Sequence, residues 1–391
     1  MRSFTLLAVH AALAVVLVAT VIGLVTLWPE GTPVAALPAG GAPERSAVVT
    51  RVELAPCRSP AAKGCVLVTA RLTSGPDAGA ETSLIFGEIR GDVRPDVGDR
   101  IRVVETGVAG GALGSEVDAS RYAFVDFERT RPLVLLVVLF AGLVILLSRR
   151  QGVLSLVGLG ASLALVVLFV VPAILEGASP VGVALVGALT VMFITIPLCH
   201  GLGAKAVAAC LGTTVALSVT VLLAEAFTRA ARLSGLTTDE ASFVAASDNG
   251  VSMRGLVVAG MVIGALGVLD DLTVSQSSTV LALRSANPAL GARELYRRAL
   301  DVGRDHVAAT VNTLVLAYVG AALPILLVFS LSGQSFSGAV GSEVVAAEIV
   351  AMLVGSIGLV LAVPITTALA ALLAAKLDPA GLAAAEHAHH H

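Results

Sequence analysis

Charge is scarce in this chain. Asp, Glu, Lys and Arg make up 14% of its residues and hydrophobic ones 56%, whereas a soluble domain is about 25% charged. Aromatics are scarce too, at 4% with one tryptophan, and no basic patch interleaved with aromatics occurs, which argues against a nucleic-acid partner. The phosphate-cradling pattern GxxxxGK[ST] is missing, which argues against direct use of ATP. Cysteines number four. Cys199 and Cys210 lie in or beside apolar runs and read as packing residues. Cys57 and Cys65 flank the loop CRSPAAKGC in the one large hydrophilic segment, and a disulfide is expected there if that segment lies outside the cytoplasm.

What is present is lipid-like sequence. Several runs exceed the roughly 18 apolar residues that mark a transmembrane helix candidate, and the 39 glycines suit close packing of helices through small residues. The expected class is an α-helical integral membrane protein of about eight transmembrane helices, with a small all-β, OB-like domain between helices 1 and 2. Residues 1–28 read as an uncleaved N-terminal anchor, because the apolar core is longer than the roughly 7–15 residues of a signal peptide; cleavage within PVAALPAGGA is the alternative. Residues 29–45 form a Pro/Gly/Ala linker.

Residues 46–128 change character. SAVVTRVEL, GCVLVTARL, TSLIFGEI, DRIRVVET and RYAFVDFE are short, β-branched, partly alternating runs separated by Gly, Pro and Asp. That is strand-and-turn patterning. A barrel of OB type is expected, acting as a lid or docking for a protein partner. Residues 131–377 return to the bilayer, with helices expected near 132–148, 153–175, 180–199, 204–228, 254–283, 306–331 and 342–375. Pro197, Pro324 and Pro364 are expected to kink their helices, as bilayer helices tolerate.

Positive charge sets the orientation. Arg149 and Arg150, His200 and Lys205, the group Arg284, Arg293, Arg297, Arg298 and Arg304, and Lys376 alternate onto one side together with Arg2. Excess Lys and Arg marks the cytoplasmic side. Both termini are then cytoplasmic and the β domain extracytoplasmic, with Arg229, Arg232 and Arg254 dissenting. Residues 378–391 form an Ala/His-rich tail ending EHAHHH, which reads as a flexible or purification-like tail, with transition-metal binding as the alternative.

One apolar run carries an anomaly. After GLVVAGMVIGA comes LGVLDDLTVSQSST, with Asp270 and Asp271 near mid-span. A charge at that depth costs at least about 2.5–3.5 kcal/mol on insertion scales, so it normally faces protein or water. Asp270, Thr273 and Ser277 recur at i, i+3 and i+7 on one stripe, and Asp271, Ser275 and Ser278 at i, i+4 and i+7 on the next. With Gln276 they form a polar wedge suited to a proton or a hard monovalent or divalent cation. The plainer reading is helix–helix hydrogen bonding. The next helix opens with DVGRDHVAATVNT, where Asp305 and His306 serve either as an interfacial cap or as part of a site. Asn312 and Thr313, lying deeper, are expected to face the wedge. Glu225, Glu343 and Glu348 sit near helix ends and are expected to snorkel, and Asp248-Asn249-Gly250 reads as a turn before the wedge helix.

GVLDDLTVSQSS, ANP at 286–288, VGRDH at 302–306 and TVNTLVLAYVGAALP at 310–324 occur in order, and together they resemble the YibE/F family of bacterial multi-pass membrane proteins. The resemblance covers about residues 131–375 and implies the architecture and a plasma-membrane location, without a substrate or a mechanism. Three functions remain open. An ion- or proton-coupled secondary transporter of an unknown small solute, without a further cofactor, leads. A membrane assembly or sensor protein acting through the β domain follows, and either can be a homo-oligomer. A membrane enzyme is the weakest: the paired acids are adjacent on one helix rather than on two, no GxGD stretch occurs, and a lipid-acting Asp305–His306 pair has no support.

Overall fold

The computed structural model describes residues 2–31, 43–55, 65–86, 94–105, 121–246, 250–333 and 335–376. They separate into two compact units, Ala36–Leu146 and Met1–Ala35 with Leu147–His391.

In the first unit the alternating runs become strands: β1 (Arg45–Leu54), β2 (Val66–Leu72), β3 (Glu81–Phe86), β4 (Arg100–Glu105) and β5 (Tyr122–Phe127). They pair antiparallel in one sheet of order β3-β2-β1-β4-β5. Alternate residues such as Val49, Val68, Leu84, Ile101 and Val103 bury one face. So small a sheet covers that face only by curling on itself, and irregularities in register at Val49/Arg51 and Arg102/Val103 bend strands in the way bulges do. The outer strands then meet, with Phe86 of β3 edge-on to Phe124 of β5 at 4.8 Å. Cys65 is disulfide-bonded. Cys57 lies outside the described residues.

The second unit is helical. Its elements are α1 (Arg2–Thr26), α2 (Thr130–Leu165, shared with the first unit), a π turn at Val166–Val170, α3 (Val171–Leu175), α4 (Pro180–His200) and α5 (Ala204–Ala230). Then follow α6 (Asp239–Ala246), α7 (Met253–Ala286), α8 (Ala292–Leu331), α9 (Phe336–Gly341) and α10 (Glu343–Ala374). Among the described residues seven helical stretches are long and apolar enough to cross a membrane, with Thr130–Leu175 counted as one. The two helices expected there are joined end to end across a non-helical break at Arg149, where φ is 49° and ψ is −125°. Pro172 lacks an N–H and crowds the carbonyl four residues back, and the π turn directly before it absorbs that misfit. Helix α8 starts at Ala292 rather than near 306 because Leu295 and Ala299 find an interior face to pack on. Pro197, Pro324 and Pro364 lie inside α4, α8 and α10.

Helices α5, α7 and α10 pack on one another and form the centre, with α4 and α8 against them. The contacts are close because small residues make them. A Cβ on Gly212 of α5 would lie 2.0 Å from Thr366 Oγ1 of α10, and one on Gly358 of α10 would lie 2.2 Å from Thr220 Oγ1 of α5. A side chain at either position would force the facing threonine to shift.

Candidate functional site

The polar wedge splits in two along α7. Thr273, Gln276 and Ser277 are buried at 0%, 3% and 0% exposure, and Asp270 is half-buried on the same side. Asp271 is exposed, and Ser275 and Ser278 are half-buried. The split follows from the helix: adjacent residues point about 100° apart, so only one acid of the pair can face α4 and α5.

Asp270 reaches inward. Its Oδ2 accepts a hydrogen bond from Thr195 Oγ1 of α4 at 3.3 Å. Its Oδ1 is buried and has no hydrogen-bond partner among the described residues. Thr273 Oγ1 donates to the Asp270 carbonyl at 3.1 Å and lies 2.6 Å from Thr213 Oγ1 of α5. One turn on, Gln276 Nε2 donates to the Ala299 carbonyl of α8 at 2.7 Å and to Thr367 Oγ1 of α10 at 2.8 Å. Gly303 makes room for that amide, since a Cβ there would lie 2.9 Å from Gln276 Oε1. Gln276 is thus a three-helix knot, which is the gluing role that buried amides fill between helices. Ser277 Oγ, like Thr366 Oγ1 of α10, is buried without a hydrogen-bond partner among the described residues.

The second cluster does not join this one. Asp305, His306, Asn312 and Thr313 are all exposed on α8. Among the described residues Thr313 Oγ1 bonds only back to Ala309 O, at 3.0 Å. The expectation that Asn312 and Thr313 face the acids therefore fails, for a reason of register. The inward stripe of α8 runs through Leu295, Ala299, Gly303, Val307 and Val311, and positions 312 and 313 are one and two steps past it. Asp248 and Asn249 lie outside the described residues, as do residues 378–391 with their histidines.

The other acids have structural duties. Glu225 pairs with Arg229 one turn on. Glu343 accepts from Ser234 N, Ser234 Oγ and Gly235 N and so ties the start of α10 to the chain following α5. In the β unit, Tyr122 donates to Asp77 at 2.7 Å, and this bond, with Arg121 and Arg45 nearby, holds the Asp77 carboxyl below its ordinary range. Among the described residues no group of three or more His, Cys, Asp or Glu gathers as a metal site would need. The residues that sequence reasoning missed are Thr195, Thr213, Thr366 and Thr367. Their signal was present as ITIP, GTT and PITT within apolar runs, but single threonines in helices ordinarily bond their own backbone.

No curated protein and no solved structure matches this chain. A family model does, that of the YibE/F-like protein, over residues 136–376. That range holds most of the long helices, the Asp270 wedge and the Gln276 knot. With more than half of its length matched, the chain belongs to the YibE/F-like protein family.

Proposed function

We propose that this protein is a multi-pass transporter of the bacterial plasma membrane that couples movement of a small solute or ion to protonation of Asp270. The observation that carries the reading is the buried Oδ1 of Asp270, which has no hydrogen-bond partner among the described residues. An ionised carboxylate with a buried, unpaired oxygen is unstable until a proton or cation joins it. Nothing about helix packing asks for an acid here, because Gln276 already ties three helices together with a neutral group.

The membrane reading rests on family and on length. Thr130–Leu175 spans 46 residues, about 69 Å of helix at 1.5 Å per residue, more than twice the roughly 30 Å of a hydrocarbon core. The break at Arg149, beside Arg150, divides it into two crossings and brings the total to eight. Both termini are then cytoplasmic, and the β unit, read as an OB-like barrel, faces outward. Lipid and an unidentified small solute or ion are its partners, and neither nucleic acid nor a catalytic centre enters.

A second reading, an assembly or sensor protein, draws support from the β unit's compactness as a separate body. One experiment separates the two. Cells carrying Asp270→Asn are compared with wild type and with cells lacking the protein for solute and metal content and for growth. Transport predicts that the isosteric amide inserts normally yet behaves as the deletion does. Full complementation by Asp270→Asn sinks the transporter and favours assembly.

A further inference from the structure

Beyond Asp270, toward the Arg284 end of α7, the bundle interior keeps hydroxyls where hydrocarbon would pack without cost. Thr273 and Ser277 are fully buried, as are Thr213 of α5 and Thr366 of α10. Thr213 touches Thr273, and its chain neighbour Gly212 is the residue against which Thr366 packs, so three helices contribute at one level. Hydroxyls in helices ordinarily bond the carbonyl one turn back, as Thr214, Thr220, Ser278, Thr279 and Thr367 do here. Ser277 and Thr366 do not, and each leaves a buried oxygen without a hydrogen-bond partner among the described residues. Two hydroxyls in one seam give up the bond their own helix offers.

Their spacing decides what such a seam can carry. Cation ligands converge on one point at about 2.3–2.6 Å, but Asp270 and Ser277 stand two turns apart, about 10 Å along the axis. No single dehydrated ion touches both. A proton needs no such convergence, because a hydroxyl accepts on one lone pair while giving up its own hydrogen. We infer that Thr273, Ser277 and Thr366, with Thr213, form a relay that carries the Asp270 proton along the bundle interior toward the Arg284 end of α7.

This rests on the reading of Asp270 as an exchangeable acid. In the releasing step the Asp270 O–H bond breaks and its proton joins the neighbouring oxygen, whose own hydrogen passes to the next. The transfer requires a single water in each gap of about one turn. Each oxygen ends with the hydrogens it began with, one proton passes to water at the Arg284 end, and Asp270 is left ionised. Among the described residues the titratable groups beside Asp270 are Asp271 on its own helix and Cys210 on α5, and α4 presents the neutral Thr195.

The test needs no knowledge of the solute. Full-length protein in detergent is given a rapid pH jump, and the carboxylic C=O band of Asp270, identified by its loss in Asp270→Asn, is followed by infrared spectroscopy. Ser277→Ala and Thr273→Val are each expected to slow its appearance at least tenfold, and Thr273→Ser to restore it. Ser277→Ala removes only an oxygen that the fold does not use, so it remains informative if Thr273→Val destabilises the bundle. A wild-type rate in Ser277→Ala, or equal slowing by Thr273→Ser and Thr273→Val, overturns the relay while leaving Asp270 in place. If wild type and Asp270→Asn differ in no exchanging band, the transporter reading itself fails.

Discussion

Helices α7 and α8 carry similar residues and meet opposite fates. Each sets acids, hydroxyls and a carboxamide into an apolar run, yet α7 buries Thr273, Gln276 and Ser277 whereas α8 exposes Asp305, His306, Asn312 and Thr313. The difference lies in where the small residues fall. Ala299 and Gly303 of α8 sit on the stripe facing Gln276 and Val363, so that stripe packs and the polar ones turn away. On α7 the stripe that packs is itself the polar one, and Gly212 of α5 lets α10 close over it. Chemistry alone does not say which face goes inside. Steric fit does.

The largest effect that would break this contrast is functional. Asp270→Asn should reduce transport by about 100-fold or more, the range of a lost proton-transfer group, while Asp305→Asn should leave at least half of it. Uptake or efflux in cells with matched protein levels checks both. Equal losses would mean that the exposed acids of α8 act as directly as the buried one.

Packing gives the next largest effect. Gly212→Ala puts a methyl 2.0 Å from Thr366 Oγ1 and 2.9 Å from its Cβ, and overpacking of that kind costs roughly 1–3 kcal/mol, occasionally more. Thermal unfolding in detergent should fall accordingly, and Thr366→Ala in the same chain should recover part of the loss. A smaller drop is expected from Gly303→Ala, about 1 kcal/mol, because the nearest atom its methyl meets, Val363 Cγ1, lies at 2.7 Å rather than 2.0 Å. If Gly303→Ala costs more than Gly212→Ala, the α7–α8 contact is the stiffer one and the ranking of the two interfaces reverses.

These contrasts mark how far the sequence could be read. The five strand runs, the long apolar helices and the family motifs were legible, since periodicity and run length report on elements that bury a regular face. Asp270 stood out for a physical reason too, because a carboxylate inside an apolar run has no ordinary explanation. The partners of Asp270 and Thr273 were not legible. Thr195 and Thr213 sit in mostly apolar helices among other hydroxyls, and only the antiparallel crossing of α5 and α7 brings Thr213 to Thr273. Asn312 and Thr313 were misplaced because a one-residue step turns a helix by about 100°, and nothing in TVNTLV says that Val311 is the residue facing in. The start of α8 was set too late for a related reason: ARELYRRAL reads as a charged loop until Leu295 and Ala299 are seen packed.

The smallest expected effect tests the exposed side of α8 most sharply. Asn312 is exposed and shares a stripe with Asp305, seven residues before it. If that stripe faces lipid, Asn312→Leu removes a polar group from hydrocarbon and should leave stability within about 0.5 kcal/mol of wild type, as surface substitutions do, or raise it slightly. Transport and infrared exchange at Asp270 should also stay at wild-type values, because Val307 and Val311 rather than Asn312 face the bundle. Thermal unfolding in detergent and cellular complementation read both outcomes. A loss of function with stability intact would show that the α8 stripe meets a protein surface in the membrane, and cross-linking from a cysteine placed at Ala308, between Asp305 and Asn312, would then tell whether that surface belongs to a second copy of this chain.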